Sequence, residues 1–310
     1  MSVTRSEIKS ASVRILPFIQ RTPIMTSDNF GLGYPIDLKL EHLQLSGSFK
    51  ARGAFNNLLA REVPATGIVA ASGGNHGAAV AMAAKRLGVR ARVYVPELAG
   101  SEKISLIKRS GADLVVVPGD YSQAFLAAEA YENETGAMQI HAYDRPETVA
   151  GQGTLALEWE EQGMKADTIM IAVGGGGLIS GAFAWFQGNR KIVAVEPERA
   201  PTLHRALKNG PETEVEVSGV AANALGARKI GRICYDLAQA QNAESLLVSD
   251  AAIMDAQKLL WQSHRLLVEP AGATALAALS SGAYRPQPNE RVAVLLCGGN
   301  VASDPLIAAG

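Results

Sequence analysis

The chain has 310 residues, 47% of them hydrophobic and 19% charged, a balance that lets an ordinary globular protein bury a large core without staples. Basic and acidic residues nearly cancel to a net charge of -1, and no run of Lys or Arg stands out. That argues against a nucleic-acid or membrane-surface partner and for a small one. Cys234 and Cys297 are the only cysteines, too few for a disulfide framework, so a reducing cytoplasm is the expected compartment.

The opening stretch MSVTRSEIKSASVRILPFIQ keeps charges among its apolar positions, so neither a signal peptide nor a membrane span is read there. Next comes SGSFKARGAF, residues 46–55, with a helix expected from about Arg52. From residue 67 onward short β-branched runs alternate with alanine-rich helical patterns: GIVAAS, the stretch after Asn75, ARVYVP, EKISLIKRSG and ADLVVV. A second series follows with TIMIAV, a glycine turn, LISGAFAWF, KIVAVEP and RVAVLLCGG. Such alternation predicts β-α-β units, parallel pairing and two sheets. Residues 67–144 are expected to form a small domain inserted into a larger one made of 1–66 and 145–310. RPQPNE near residue 285 reads as a surface loop, and there is no internal repeat or low-complexity tract.

Five stretches carry chemistry as well as structure. In SGSFKARGAF, Lys50 lies between small residues and Phe49. A solvated surface charge is the usual fate of a lysine, whereas one that forms an imine must be partly desolvated so that its amine is neutral near pH 7. In ASGGNHGAAVAMAAKRLG, residues 71–88, a strand end turns through glycines into a helix whose first N–H groups suit a carboxylate or phosphate. A tight β-α turn would ask for the glycines alone; Asn75 and His76 add polar groups that packing does not require. VGGGGLISG, residues 173–181, repeats the pattern. It is not the dinucleotide fingerprint, because starting from Gly174 or Gly175 the third glycine position falls on Ile179 or Ser180. Four successive glycines are costly in backbone entropy, which favours a phosphate cradle over a plain turn. Glu269 in LLVEPAGATALAAL and Cys297 in VAVLLCGGN read, taken alone, as a helix-start charge and a core thiol.

Together SGSFKARGA, SGGNHG, GQGTLALE, VGGGGL, VEPAGA and CGGN stand in the order and approximate spacing of the fold type II pyridoxal phosphate enzymes. The chain most resembles their serine/threonine dehydratase and serine racemase group, from RTPI near Thr22 to Asn300. The resemblance implies a two-domain α/β fold, similar to the tryptophan synthase β subunit, with each domain an open, mostly parallel sheet flanked by helices. It implies pyridoxal 5'-phosphate held on Lys50 as a Schiff base, with Phe49 flanking the ring and Asn75 bonding its phenolic oxygen. Gly174, Gly175, Gly176 and Gly177 would hold the phosphate, Cys297 would face the pyridine nitrogen, and Glu269 would lie near the ring. Ser72, Gly73, Gly74, Asn75 and His76 match the loop that receives the substrate carboxylate. The implied reaction is elimination of water from threonine or serine to give a 2-oxo acid and ammonia, with freed Lys50 as the general base. A thiol cannot protonate the pyridine firmly, which favours elimination over transamination. A homodimer is implied as well.

The sequence departs from that group at several positions. Racemases of the group have Ser where this chain has Gly73, so one acid/base for racemisation is missing. The group's metal site falls on Glu196, Ala200 and Thr202, and loss of the third ligand's charge leads to the expectation of no metal. Ser218 stands before Gly219 where Asp is usual, and Ala142 follows His141 where Pro is usual. The chain stops soon after CGGN, where some biosynthetic threonine dehydratases continue into a regulatory domain. The competing readings are an amino-acid racemase, a lyase for a larger 3-hydroxy amino acid such as phenylserine or hydroxyaspartate, and an idle ligand-binding homologue.

Overall fold

The β-branched runs form strands and the alanine-rich stretches form helices in the computed structural model, which describes residues 3–99, 104–105, 107–108, 111–119 and 121–301. Helix α1 (Arg5–Ile15) starts with a capping box: Thr4 Oγ1 accepts from the Glu7 N–H, and the Glu7 carboxylate accepts from the Thr4 N–H. Strands β1 (Ile24–Ser27) and β2 (Ile36–Lys39) follow, then helix α2 (Lys50–Ala60), which starts two residues before the expected Arg52. Next come β3 (Ile68–Ala71), α3 (Asn75–Leu87), β4 (Ala91–Pro96), β5 (Asp113–Val117), α4 (Tyr121–Thr135) and β6 (Met138–Gln139). The rest runs α5 (Pro146–Glu161), β7 (Thr168–Ala172), α6 (Gly177–Phe186), β8 (Lys191–Pro197), α7 (Thr202–Asn209) and α8 (Ala222–Leu225). It ends with α9 (Arg232–Ala240), β9 (Glu244–Val248), α10 (Asp250–His264), α11 (Pro270–Ser280) and β10 (Val292–Leu295). The EKISLIKRSG stretch falls partly outside the described residues, although 104–105 and 107–108 are helical.

The strands form two sheets. One has the order β5-β4-β3-β6, parallel throughout; the other has the order β1-β2-β10-β7-β8-β9, parallel except for the β1–β2 pair. Strands β3, β7 and β10 are buried at every residue, as strands covered on both faces must be, and so read as unbroken apolar runs. The loops that follow these three strands begin at Ser72, Val173 and Leu296. All three therefore leave the carboxyl ends of parallel strands, where open α/β sheets bind ligands.

The GQGTLALE stretch lies in α5 and owes its small residues to helix packing. A Cβ on Gly151 would come within 2.7 Å of Gly53 Cα in α2, and one on Gly181 in α6 within 2.7 Å of Gly153 Cα. The RPQPNE loop does more than connect, since Glu290 ties it to the sheet through Thr168 and Tyr284.

A buried polar network joins α2 to the large sheet. Arg52 Nε and Nη2 donate to Glu41 at 2.6 and 3.1 Å, and Nη2 also donates to Glu158 at 2.8 Å. Lys39 Nζ donates to Glu158 at 2.6 Å and to the Thr22 carbonyl at 2.9 Å. Arg52, Lys39 and Glu41 are fully buried, so each charge relies on these partners for lack of water. Burial works against ionisation of Glu158, but Arg52 and then Lys39 hold its carboxyl below the usual carboxylate range. Removing that carboxylate leaves buried Lys39 without its ion-pair partner and Arg52 with Glu41 alone, so Glu158→Ala is expected to lower unfolding free energy by about 3–5 kcal/mol in urea titrations at pH 7. Because the folded pKa is depressed, the contribution is complete above the unfolded carboxylate value and is lost as pH falls through the folded one. The gap between wild type and variant should therefore close in acid. Equal stability at pH 7 would contradict the network's role.

Candidate active site

Lys50 opens α2 at the junction of two adjoining cavities. One is an open cleft and the other a smaller pocket, and Lys50, Asn75, Tyr143, Gly175 and Ala224 line both. Lys50 Nζ donates to the Ala142 carbonyl at 2.8 Å, so the position where Pro is usual still supplies an acceptor. Desolvation lowers the Lys50 ammonium to about 8, with Cys297 and Glu269 pulling weakly the other way. An amine poised in that range is available as a nucleophile or base near neutral pH.

The lysine is fixed by pairing between two distant loops. Phe49 N–H donates to the Cys297 carbonyl at 3.2 Å, Ser48 and Gly298 form an isolated antiparallel bridge, and Gly299 N–H donates to the Gly47 carbonyl at 2.9 Å. Asn300 Nδ2 donates to the Ser46 carbonyl at 2.7 Å, with Ser46 in the left-handed region at φ 61°. Gly272 in α11 lets that helix approach the same loop, because a Cβ there would overlap the Gly298 carbonyl. SGSFK, VEPAGA and CGGN are thus three parts of one junction.

The smaller pocket is lined by Phe49, Lys50, Glu269 and Cys297 together with Gly174, Gly175, Gly176 and Gly177. A Cβ on Gly175 would overlap the Tyr143 ring, and Gly176 stands at φ 90° as the N-cap of α6. The loop so formed presents backbone N–H groups at a helix N-terminus, which suits a phosphate. Cys297 Sγ lies 3.4 Å from the Ala271 carbonyl, its acceptor, and desolvation raises the thiol pKa, so it is a neutral, weak polar group. Asn75 Nδ2 donates to Glu269 Oε1 at 2.5 Å, while Asn75 Oδ1 accepts from Asn300 at 2.8 Å. A primary amide has two donor hydrogens, so one remains for a bound group. With an amine, a glycine loop suited to an anion and a weakly polar thiol in its lining, the pocket fits pyridoxal phosphate.

Ser72, Gly73, Gly74, Asn75 and His76 line the larger cleft. Ser72 Oγ accepts from the Gly74 N–H at 3.1 Å, shaping the turn into α3, whose first-turn N–H groups have no acceptor within the helix. His76 Nε2 is 2.9 Å from the Ile140 carbonyl, and desolvation, then Lys50, lowers its pKa to about 3, so the ring is neutral. A Cβ on Gly73 would overlap that of Ala99, so the missing side chain is replaced there by a methyl from a neighbouring segment.

Glu196 is buried and accepts from the Leu203 and His204 N–H groups, each at 2.8 Å, and from Ser245 at 3.2 Å. Burial raises its pKa to about 7. Thr202 Oγ1 lies 2.7 Å from the Gly174 carbonyl and 3.1 Å from Glu196, bracing the glycine loop.

The structure brings all the candidate residues of the sequence reading around these two cavities, and it adds others. Tyr121 and Tyr143 line the cleft, and Ser46 anchors Asn300. Tyr143 follows β6 in HAYDRP, but that two-residue strand gave no signal to mark its loop as one leaving a carboxyl end.

The chain matches the family described as pyridoxal-phosphate dependent enzyme over residues 15–298. It is 35% identical to the phenylserine dehydratase of Ralstonia pickettii over 302 residues, covering 95% of this chain and 92% of that protein. Among solved structures it is similar to the threonine deaminase of T.th., with a TM-score of 0.89, 35% identity and coverage of 97% and 100% of the two chains. Maize serine racemase gives a TM-score of 0.92 and 31% identity, covering 100% of this chain and 97% of that one. The chain belongs to the pyridoxal-phosphate dependent enzyme family, and the paired cavities around Lys50 are where such a cofactor fits.

Proposed function

We propose that the protein dehydrates and deaminates an L-3-hydroxy amino acid such as threonine or serine, water leaving first and being taken up again on hydrolysis, to give a 2-oxo acid and ammonia. The observation that carries this reading is the position of Lys50 at the junction of an anion-binding pocket and a second, substrate-sized cleft. Pyridoxal phosphate, when bound, supplies an electron sink for the bond broken at Cα. Gly174, Gly175, Gly176 and Gly177 would hold its phosphate, Phe49 would flank its ring, and Cys297 would face its pyridine nitrogen as a weak donor. Asn75, steadied by Glu269 and Asn300, would bond its phenolic oxygen.

Lys50 holds the cofactor and, once free, takes the Cα proton as a neutral base near pH 8 or above. The Ala142 carbonyl orients its amine. Ser72, Gly73, Gly74, Asn75 and His76 bind the substrate carboxylate through the α3 N-terminus. Racemisation is the competing reading, given the similarity to a serine racemase. Gly73 and the Ala99 methyl beside it offer no second acid/base, which favours elimination. The same reading divides the chain into a substrate-side domain of 67–144 and a cofactor-side domain of 1–66 and 145–310. It further takes the active form to be a homodimer in the cytoplasm, consistent with two buried, unpaired cysteines.

Lys50→Ala is expected to reduce 2-oxo acid release by at least about 10³-fold, since a positioned base is lost with the tether. Borohydride should trap no cofactor on the variant. Near-normal turnover together with a stoichiometric adduct would refute the assignment. The Lys50 pKa yields a second test. A lysine must be neutral to attack an aldehyde, so cofactor uptake by the apoenzyme should rise about tenfold per pH unit below the value near 8 and level off above it. A rate of borohydride-trapped uptake unchanged between about pH 6 and 9 would contradict the depressed pKa.

A further inference from the structure

The loop before α3 and Lys50 account for the amino-acid end of a substrate; the remaining wall of the cleft faces its 3-substituent. That wall includes Ala99, Tyr121, Tyr143, Ala222, Asn223 and Ala227. Among the described lining residues the only charge-bearing candidates are Lys50, already assigned, and His76, which is neutral and spent on the Ile140 carbonyl. No arginine or second lysine lines the cleft among the described residues. Among the described lining residues a second carboxylate would therefore meet no counter-ion to offset its desolvation.

The aromatic side of the wall is organised. Tyr121 and Phe125 have ring centroids 6.2 Å apart, Phe125 and His141 6.2 Å, and His141 and Tyr143 4.7 Å. The two ends of this row, Tyr121 and Tyr143, reach the cleft. Around Asn223 the lining residues 222, 224, 226 and 227 are Ala, Ala, Gly and Ala, side chains small enough to leave room for a large group. A methyl substituent would leave this apolar surface wet, while a ring can lie against the tyrosines edge to face.

We propose that the substrate carries an aryl or comparably bulky apolar group on C3, seated against Tyr121 and Tyr143. This rests on the lyase reading above. For 3-phenylserine the Cα–H and Cβ–O bonds break and water leaves. The released enamine tautomerises to an imine, and water then cleaves its C–N bond to give phenylpyruvate and ammonium, with no oxidant or reductant.

The test compares 2-oxo acid release by the holoenzyme from L-threo-3-phenylserine, L-threonine and L-threo-3-hydroxyaspartate. The expected kcat/KM for phenylserine exceeds that for threonine by about tenfold or more, the size of effect an apolar pocket gives, and that for hydroxyaspartate by about a hundredfold. Tyr121→Ala should lower the phenylserine-to-threonine ratio about fivefold or more. A readout free of turnover uses L-phenylalanine and L-aspartate, which have no hydroxyl to eliminate. Phenylalanine should raise the holoenzyme Tm more than aspartate does. Threonine or hydroxyaspartate equalling phenylserine, or aspartate stabilising better than phenylalanine, overturns the aryl assignment while the lyase reading stands. No 2-oxo acid from any of the three substrates overturns both.

Discussion

Arg52, held by two buried carboxylates, is the constraint on which the site depends. It lies two residues after Lys50 in the first turn of α2, and its guanidinium is fixed by Glu41 before that helix and Glu158 in α5. A fully buried guanidinium cannot leave such partners without a large desolvation penalty, so the start of α2 is locked relative to both neighbours. Lys50 inherits that position. Its flexible stem needs a fixed base if its amine is to meet both the pocket and the cleft, because catalysis by positioning is lost over small displacements. Glycines at 53, 151, 153 and 181 serve the same end by bringing α2, α5 and α6 into close contact.

Around that fixed lysine, polar contacts tie the two sheets together. Asn75 belongs to the helix after β3 in the smaller sheet, whereas Glu269 and Asn300 flank β10 in the larger one. The Asn75 amide bonds to both, so the substrate loop and the cofactor pocket share a side chain. The phosphate cradle is braced from beneath by Thr202 at the Gly174 carbonyl, with Glu196 behind it at the start of α7. In this chain that corner is held by hydrogen bonds to a helix N-terminus.

Much of this was legible in the sequence, for physical reasons. Buried parallel strands such as β7 and β10 read as unbroken apolar runs, and glycine-rich loops after them announce close backbone approach to a ligand. The order of those motifs carried the resemblance that pointed to Lys50, Asn75, the four glycines and Cys297. Strands β1 and β2 were not legible because IMTS and IDLK mix polar with apolar residues and form no unbroken run, and β6 has only two residues. The start of α2 was expected two residues late because Phe49 and Lys50 carry no capping signal; the turn is set by pairing with residues 297–299, nearly 250 positions away. Tyr121 and Tyr143 were invisible as site residues because only folding brings α4 and the loop after β6 to the same cleft. Ala99 filling the space beside Gly73 is likewise a tertiary fact.

The proposed elimination rests on chemical asymmetry: Lys50 is placed to transfer a proton, whereas neither Gly73 nor Ala99, at the position of a racemase serine, carries an acid or base. A positioned proton transfer is worth about 10²- to 10⁴-fold in rate. Elimination should outrun inversion whenever a 3-hydroxyl can leave. The most direct measurement is the ratio of D-amino acid to 2-oxo acid formed from a preferred L-3-hydroxy substrate, followed by chiral chromatography of a single reaction. The account predicts a ratio far below one; a ratio near or above one would contradict it.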